Sequence, residues 1–209
     1  LRLSTAASRL ARARERGPGT GVRSSGAREQ GSDTTTDCSC RLEVVTAAET
    51  AYIALGSNLG DREARLEAAL AALRASAGVR VTAVSALYET EPVGPPPQGP
   101  YLNGAAELVT SLGPRVLLDR LLAIEAAAGR RRAAVRNAAR LLDLDLLFFG
   151  GQRIDEPGLR VPHPRLHERA FVLEPLCEIA ARLVHPVLGE TIEQLARCVR
   201  DPAAVRRRG

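Results

Sequence analysis

Two aspartates stand two residues apart in Arg140–Gly150, RLLDLDLLFFG, a run otherwise rich in leucine and phenylalanine. The run reads as a strand, and in a strand residues i and i+2 share a face. Asp143 and Asp145 then project together, roughly 6–7 Å apart along the chain, while Leu142, Leu144 and Leu146 face the other way. Strands are depleted in aspartate, and carboxylates this close repel. A solvated edge strand would tolerate them. A hard divalent cation accounts for them better, because magnesium takes one or two carboxylates and completes its shell with water and phosphate oxygens. Paired ions bridging phosphates are a recurrent device of phosphoryl transfer. D-x-D alone remains a weak signal.

Arginines strengthen it. Arg130, Arg131, Arg132, Arg136 and Arg140 crowd the eleven residues that lead into this strand. The guanidinium fork matches phosphate oxygens. A solvated basic loop explains each one singly, and a polyphosphate explains the cluster. The chain has no G-x-x-x-x-G-K-[ST], which excludes a P-loop nucleotidase. The Gly-rich Gly56–Asp61 stretch fits no dinucleotide fingerprint and reads as a tight strand-to-helix turn. His163, in VPHPRLHERAF, has Arg165 and Arg169 nearby, so a phosphate contact and a structural loop role weigh equally. Asn103, in YLNGA, carries an amide that can donate to and accept from a heterocycle edge. It reads equally as a satisfied strand-end residue.

These side chains need elements to hold them. Ala51–Leu55 reads as a buried strand, followed by a Gly56–Gly60 turn with Asn58 or Asp61 as helix cap. Leu66, Leu70 and Leu73 recur at helical spacing, and Gly78 closes that helix. VRVTAVSALYET alternates as one long strand, PVGPPPQGP is a rigid loop, and YLNGAAELVTS is a third strand. Pro114 opens a second helix with Leu117, Leu121 and Ile124 on one face, ending at Gly129. The aspartate strand comes fourth. EPLCEIAARL and TIEQLARCV are short helices, the second starting with a T-x-x-Q capping box. The order β-α-β-β-α-β is the ferredoxin-like plan, an α+β fold with a mainly antiparallel sheet. Both helices are expected on one face, the other face open, with a short helical C-terminal tail.

Charge and composition set the boundaries. Residues 1–30 hold seven Arg and two Glu, whereas the remaining 22 Arg and 22 acidic residues cancel. A neutral body with only 3% aromatic residues argues against a nucleic-acid-binding module of the RNA-recognition type. No apolar run approaches the ~20 residues of a membrane helix. Residues 1–48 are expected as a disordered Arg/Ser/Gly-rich leader, 49–200 as the catalytic domain and 201–209 as a basic tail. Four cysteines without C-x-x-C pairs indicate no zinc site and no disulfide framework. A cytoplasmic bacterial location is favoured over reading the leader as an organelle transit peptide.

Seven segments in order resemble the 6-hydroxymethyl-7,8-dihydropterin pyrophosphokinases of folate synthesis: ALGSNLGDR, VSALYETEPVG, YLNGAAELVT, IEAAAGRRR, RLLDLDLLFFG, VPHPRLHERAFVLEPL and HPVLGETIEQL. The resemblance implies a ferredoxin-like fold and Mg²⁺-dependent transfer of pyrophosphate from ATP to the pterin hydroxymethyl group, releasing AMP. It implies two Mg²⁺ ions on Asp143 and Asp145, and a catalytic loop carrying Arg130, Arg132 and Arg140, with Arg136 beside them at the phosphates. Glu125, His163 and Arg169 match ATP-site positions. Thr90, Val93, Tyr101, Asn103 and Phe171 match the pterin pocket, where Tyr101 and Phe171 suit stacking. ATP and the pterin are the expected partners of a monomer that binds neither nucleic acid nor membrane. The family usually reads W-G-P-R-T-x-D-x-D where this chain has NAARLLDLD. A catalytically weakened member is therefore the alternative, since Asn137, Ala138, Ala139 and Leu141 replace Trp, Gly, Pro and Thr.

Overall fold

The computed structural model describes residues 47–92, 97–129, 139–199 and 205–208. Its scaffold is an antiparallel sheet built around two long central strands, β1 (Glu49–Ser57) and β4 (Tyr101–Thr110). Strand β5 (Asp143–Phe149) pairs with the far side of β1. Strands β2 (Val79–Val84) and β3 (Tyr88–Thr90) pair with successive parts of β4, and β8 (Val205–Arg207) pairs with β3. The order β5-β1-β4, with β2 and β3 sharing the other side of β4, is the ferredoxin-like arrangement. A separate hairpin joins β6 (Ile154–Glu156) and β7 (Leu159–Val161). All of these residues lie in one unit, Glu43–Gly209.

Helices α1 (Arg62–Arg74) and α2 (Pro114–Ala127) form where the periodicity places them. Asp61 caps α1 by accepting from Ala64 N at 3.1 Å, and Pro114 starts α2 where its missing N–H costs nothing. Leu66, Leu70, Leu73, Leu117 and Leu121 pack on one face of the sheet against Ile53, Leu55, Leu142, Leu144 and Leu146. That burial is the main apolar contribution to stability, of order 1.5–3 kcal/mol per enclosed leucine.

The second face is not open along its whole length. Helices α3 (Ala170–Ala180) and α4 (Ile192–Val199) cover part of it, burying Ala105, Leu147 and Phe148 beneath Leu173, Leu176 and Ile192. A register shift where β5 passes Tyr52 and Ile53 makes this fit. Leu147 and the next residue, Phe148, both reach the α3–α4 layer, which strict alternation forbids and a bulge allows. Thr191 and Gln194 form the expected capping box at α4, with reciprocal bonds of 2.8 and 3.2 Å.

A further expectation is corrected. VRVTAVSALYET is not one strand: it breaks between β2 and β3, where Ser85 N donates to Ala105 O and Ser85 Oγ accepts from Ala105 N, both at 2.9 Å. Within the basic tail, residues 205–207 form a strand that pairs with β3. Among the described residues no helix is long and apolar enough to cross a membrane.

Candidate active site

The uncovered end of the second sheet face is a cleft of about 490 Å³. Directly opposed residues on antiparallel strands point to the same face. Asp143 opposes Gly56, and Gly56 opposes Asn103, so these three form one row across β5, β1 and β4. Tyr101 opposes Thr90 in a neighbouring row. Phe171 and Arg169 enter from the start of α3, and His163 and Arg165 from the loop after β7.

The aspartates do share a face, as the spacing requires, and both are partly exposed. Each is met by an arginine. Arg140 Nη1 lies 2.7 Å from Asp143 Oδ2, and Arg169 Nη1 lies 3.8 Å from Asp145 Oδ2. Burial works against the Arg140 guanidinium, but the facing Asp143 carboxylate outweighs it and moves its pKa up. Two carboxylates facing two guanidiniums form a nearly charge-balanced cluster, which lowers their mutual repulsion. Arg169 also lies 5.6 Å above the Phe171 ring, a cation–π distance that fixes both side chains at the cleft edge.

Other bonds set the height and angle of β5. Glu125 of α2 is 1% exposed, and its Oε1 accepts from Leu144 N at 2.7 Å, between the two aspartates. Its carboxyl therefore grips the strand from beneath and does not line the cleft. Asn58 clamps the segment that enters β5: its N–H donates to Arg140 O at 3.2 Å, and its Oδ1 accepts from Arg140 N at 2.7 Å. Asn58 Nδ2 donates to Gln98 Oε1 at 2.8 Å, and Ser57 Oγ donates to Leu141 O at 2.7 Å. The Gly56–Asp61 turn thus holds the D-x-D strand by its backbone, a role that sequence reasoning missed. Asp61, not Asn58, caps α1, so Asn58 and Ser57 are free to hold the strand.

Asn103 Nδ2 donates to Thr90 Oγ1 at 2.7 Å, deep in the cleft. That bond fixes the amide orientation and directs Oδ1 toward Gly56. Gly56 has ordinary backbone angles; its lack of a side chain is what counts. A Cβ there would stand 3.1 Å from Asn103 Oδ1 and 3.9 Å from Asp143 Cβ, filling the gap between amide and carboxylate. Tyr101 OH donates to Gln98 Oε1 at 3.1 Å, which leaves the ring at the cleft wall.

Burial, with Arg169 and Arg165 adding to it, pushes the His163 pKa down to about 4. The ring is therefore neutral near pH 7. Its Nδ1 accepts from Arg165 N at 3.3 Å, so the ring proton belongs on Nε2, which is a donor. Thr90, Tyr101, Asn103, Arg140, Asp143, Asp145, His163, Arg169 and Phe171 all line this one cleft. Val93, Arg130, Arg132 and Arg136 lie outside the described residues. Among the described residues no three His, Cys, Asp or Glu side chains converge on one point. The chain offers a cation two carboxylates and leaves the rest of its shell to a ligand and water, a donor set that suits magnesium.

Fold and cleft define an α+β protein of ferredoxin-like architecture, whose site lies where sheet strands and arginine-bearing loops meet. Residues 52–181 match the family model for 7,8-dihydro-6-hydroxymethylpterin-pyrophosphokinase (HPPK), and the chain belongs to that family. It is 51% identical over 133 residues to the 2-amino-4-hydroxy-6-hydroxymethyldihydropteridine pyrophosphokinase of Bacillus subtilis, covering 64% of this chain and 79% of the relative. The enzyme of the same name from Pseudomonas aeruginosa is 46% identical over 147 residues, covering 70% of this chain and 90% of the relative. Wild-type HPPK-DHPS from Plasmodium falciparum has the same fold, with a TM-score of 0.56 at 15% identity. The match takes in 73% of this chain and 45% of that longer one.

Proposed function

We propose that the chain transfers pyrophosphate from ATP to the hydroxymethyl group of 6-hydroxymethyl-7,8-dihydropterin, releasing AMP, in folate synthesis. The observation that carries this reading is the single row Asp143–Gly56–Asn103, which sets an amide and a carboxylate on either side of a vacant glycine notch. A flat heterocycle seated against Tyr101 and Phe171 presents its ring edge to Asn103 and its hydroxymethyl arm across Gly56 toward Asp143. Thr90 holds the amide so that Oδ1 accepts from a pterin N–H.

Asp143 and Asp145 would hold Mg²⁺; bound there, the metal supplies charge neutralisation of the phosphates and acidification of the substrate hydroxyl. The hydroxymethyl oxygen attacks the β-phosphorus as its proton passes to solvent water, the bond from the α,β-bridging oxygen to that phosphorus breaks, and the bridging oxygen leaves with AMP. Arg140 and Arg169, paired with the aspartates in the free protein, turn to the phosphate oxygens when ATP arrives. His163 Nε2–H donates a hydrogen bond to a phosphate oxygen and keeps its proton. Arg130, Arg132 and Arg136 complete the cationic surround by family resemblance. Glu125 acts by positioning β5.

The test is to incubate the protein with ATP, Mg²⁺ and the pterin and to identify the nucleotide formed. Pterin-dependent AMP is expected. ADP, or AMP formed equally without pterin, overturns the reading.

A further inference from the structure

The strand β8 reaches the same cleft. Val205 opposes Thr90, and Thr90 opposes Tyr101, so the row that begins at Tyr101 continues across three strands and ends at Val205. Val205 borders the cleft beside Thr90 and Phe171, and Val199 at the end of α4 borders it too. Several bonds hold the strand in place. Arg208 N donates to Leu87 O at 2.8 Å. Arg207 Nη2 lies 3.2 Å from Glu178 Oε1 on α3, and Arg208 Nη1 lies 3.5 Å from Glu63 Oε2 on α1. Glu178 also accepts from Tyr88 OH and Ala86 N at 3.0 and 3.1 Å, so β8 and β3 share one anchor.

Without β8, the three-residue strand β3 would keep only one paired edge. Its last residue, Thr90, is the one that orients Asn103. β8 thus meets the cleft in two ways: Val205 lines it beside Thr90, and β8 pairs with the backbone of the residue whose hydroxyl orients Asn103. The aspartates and His163 lie across the cleft on β5 and the loop after β7.

We infer that the 205–208 strand is a working wall of the heterocycle side of this cleft, with Val205 a specificity-determining residue for the flat pterin-class substrate and no contact for ATP. This rests on the function proposed above. The test compares the full chain with Val205→Ala and with a variant ending at Ala204. Pterin dissociation constants are read by the ligand's own fluorescence, and KM values for pterin and ATP by AMP formation. Val205→Ala is expected to weaken pterin binding and raise pterin KM roughly tenfold, the scale of a lost apolar contact in a pocket, with ATP KM within about twofold. The shortened chain is expected to lose more in the same direction. Unchanged pterin affinity in Val205→Ala overturns the inference even if the shortened chain misfolds, and so does an equal rise in both KM values. If the full chain binds pterin without turnover, a drop in affinity in Val205→Ala still supports the wall and only the catalytic reading falls. If the full chain binds no pterin, both fall.

Discussion

Asp143 and Asp145 look unfavourable in a leucine strand until their surroundings are drawn. Arg140 and Arg169 partner them, Gly56 gives them room, and Glu125 fixes the peptide between them. The shared face was legible from the i, i+2 spacing, because a strand's period leaves no alternative. The arginine partner of Asp145 was not, since Arg169 arrives from the cap of α3, 24 positions along, and only the fold brings it near. Gly56 was legible as a turn residue but not as a notch, because its role depends on Asn103 and Asp143, both remote in sequence. Gly56→Ala places a methyl 3.1 Å from Asn103 Oδ1. We expect pterin KM to rise roughly tenfold with little change in thermal midpoint, as initial-rate kinetics and calorimetry would show. His163 carries a pH prediction. Its folded pKa of about 4 lies below its unfolded value of 6.5, so between those values the unfolded chain binds more protons. Its contribution to stability is full above pH 6.5 and is lost as pH falls toward 4. Urea unfolding at several pH values should show a shallower acid slope in His163→Asn than in the parent chain.

At the scale of elements, helices α1 and α2 were legible because three or four turns of apolar period leave little ambiguity. The break between β2 and β3 was hidden, since alternation continues through Ser85–Leu87 while the chain turns onto a new stretch of β4. β8 is three residues long and mostly arginine, which reads as solvated tail until its partner β3 is seen. The cover that α3 and α4 give to the second face follows from the β5 bulge, which periodicity alone does not reveal. Glu125 belongs to this scale because it joins α2 to β5. Glu125→Ala leaves the buried Leu144 N–H without its acceptor and should cost about 1–3 kcal/mol, measured by denaturant unfolding. Glu125→Gln keeps an acceptor oxygen and is expected to lose less. A loss of turnover in Glu125→Ala that exceeds the fraction unfolded would show that strand position itself matters to the chemistry.

For the whole molecule, the sheet acts as a ruler with different chemistry at its two ends. Opposed residues run from the carboxylates on β5, across Gly56, to Asn103 on β4, and a second row runs from Tyr101 to Thr90 and Val205. In the function proposed above, each end takes one substrate class, and the two meet across Gly56. The carboxylates and arginines gather at the β5 end of this cleft, while Tyr101, Phe171 and Val205 line the β3–β8 end. The measurement that bears most directly on the aspartate pair is turnover of Asp145→Asn, an almost isosteric change on a partly exposed strand position. Circular dichroism and thermal unfolding should match the parent chain, while pterin-dependent AMP formation at saturating Mg²⁺ falls by at least about a hundredfold. A folded Asp145→Asn variant that forms AMP at near-parental rate would contradict the placement of the metal–phosphate chemistry on this strand.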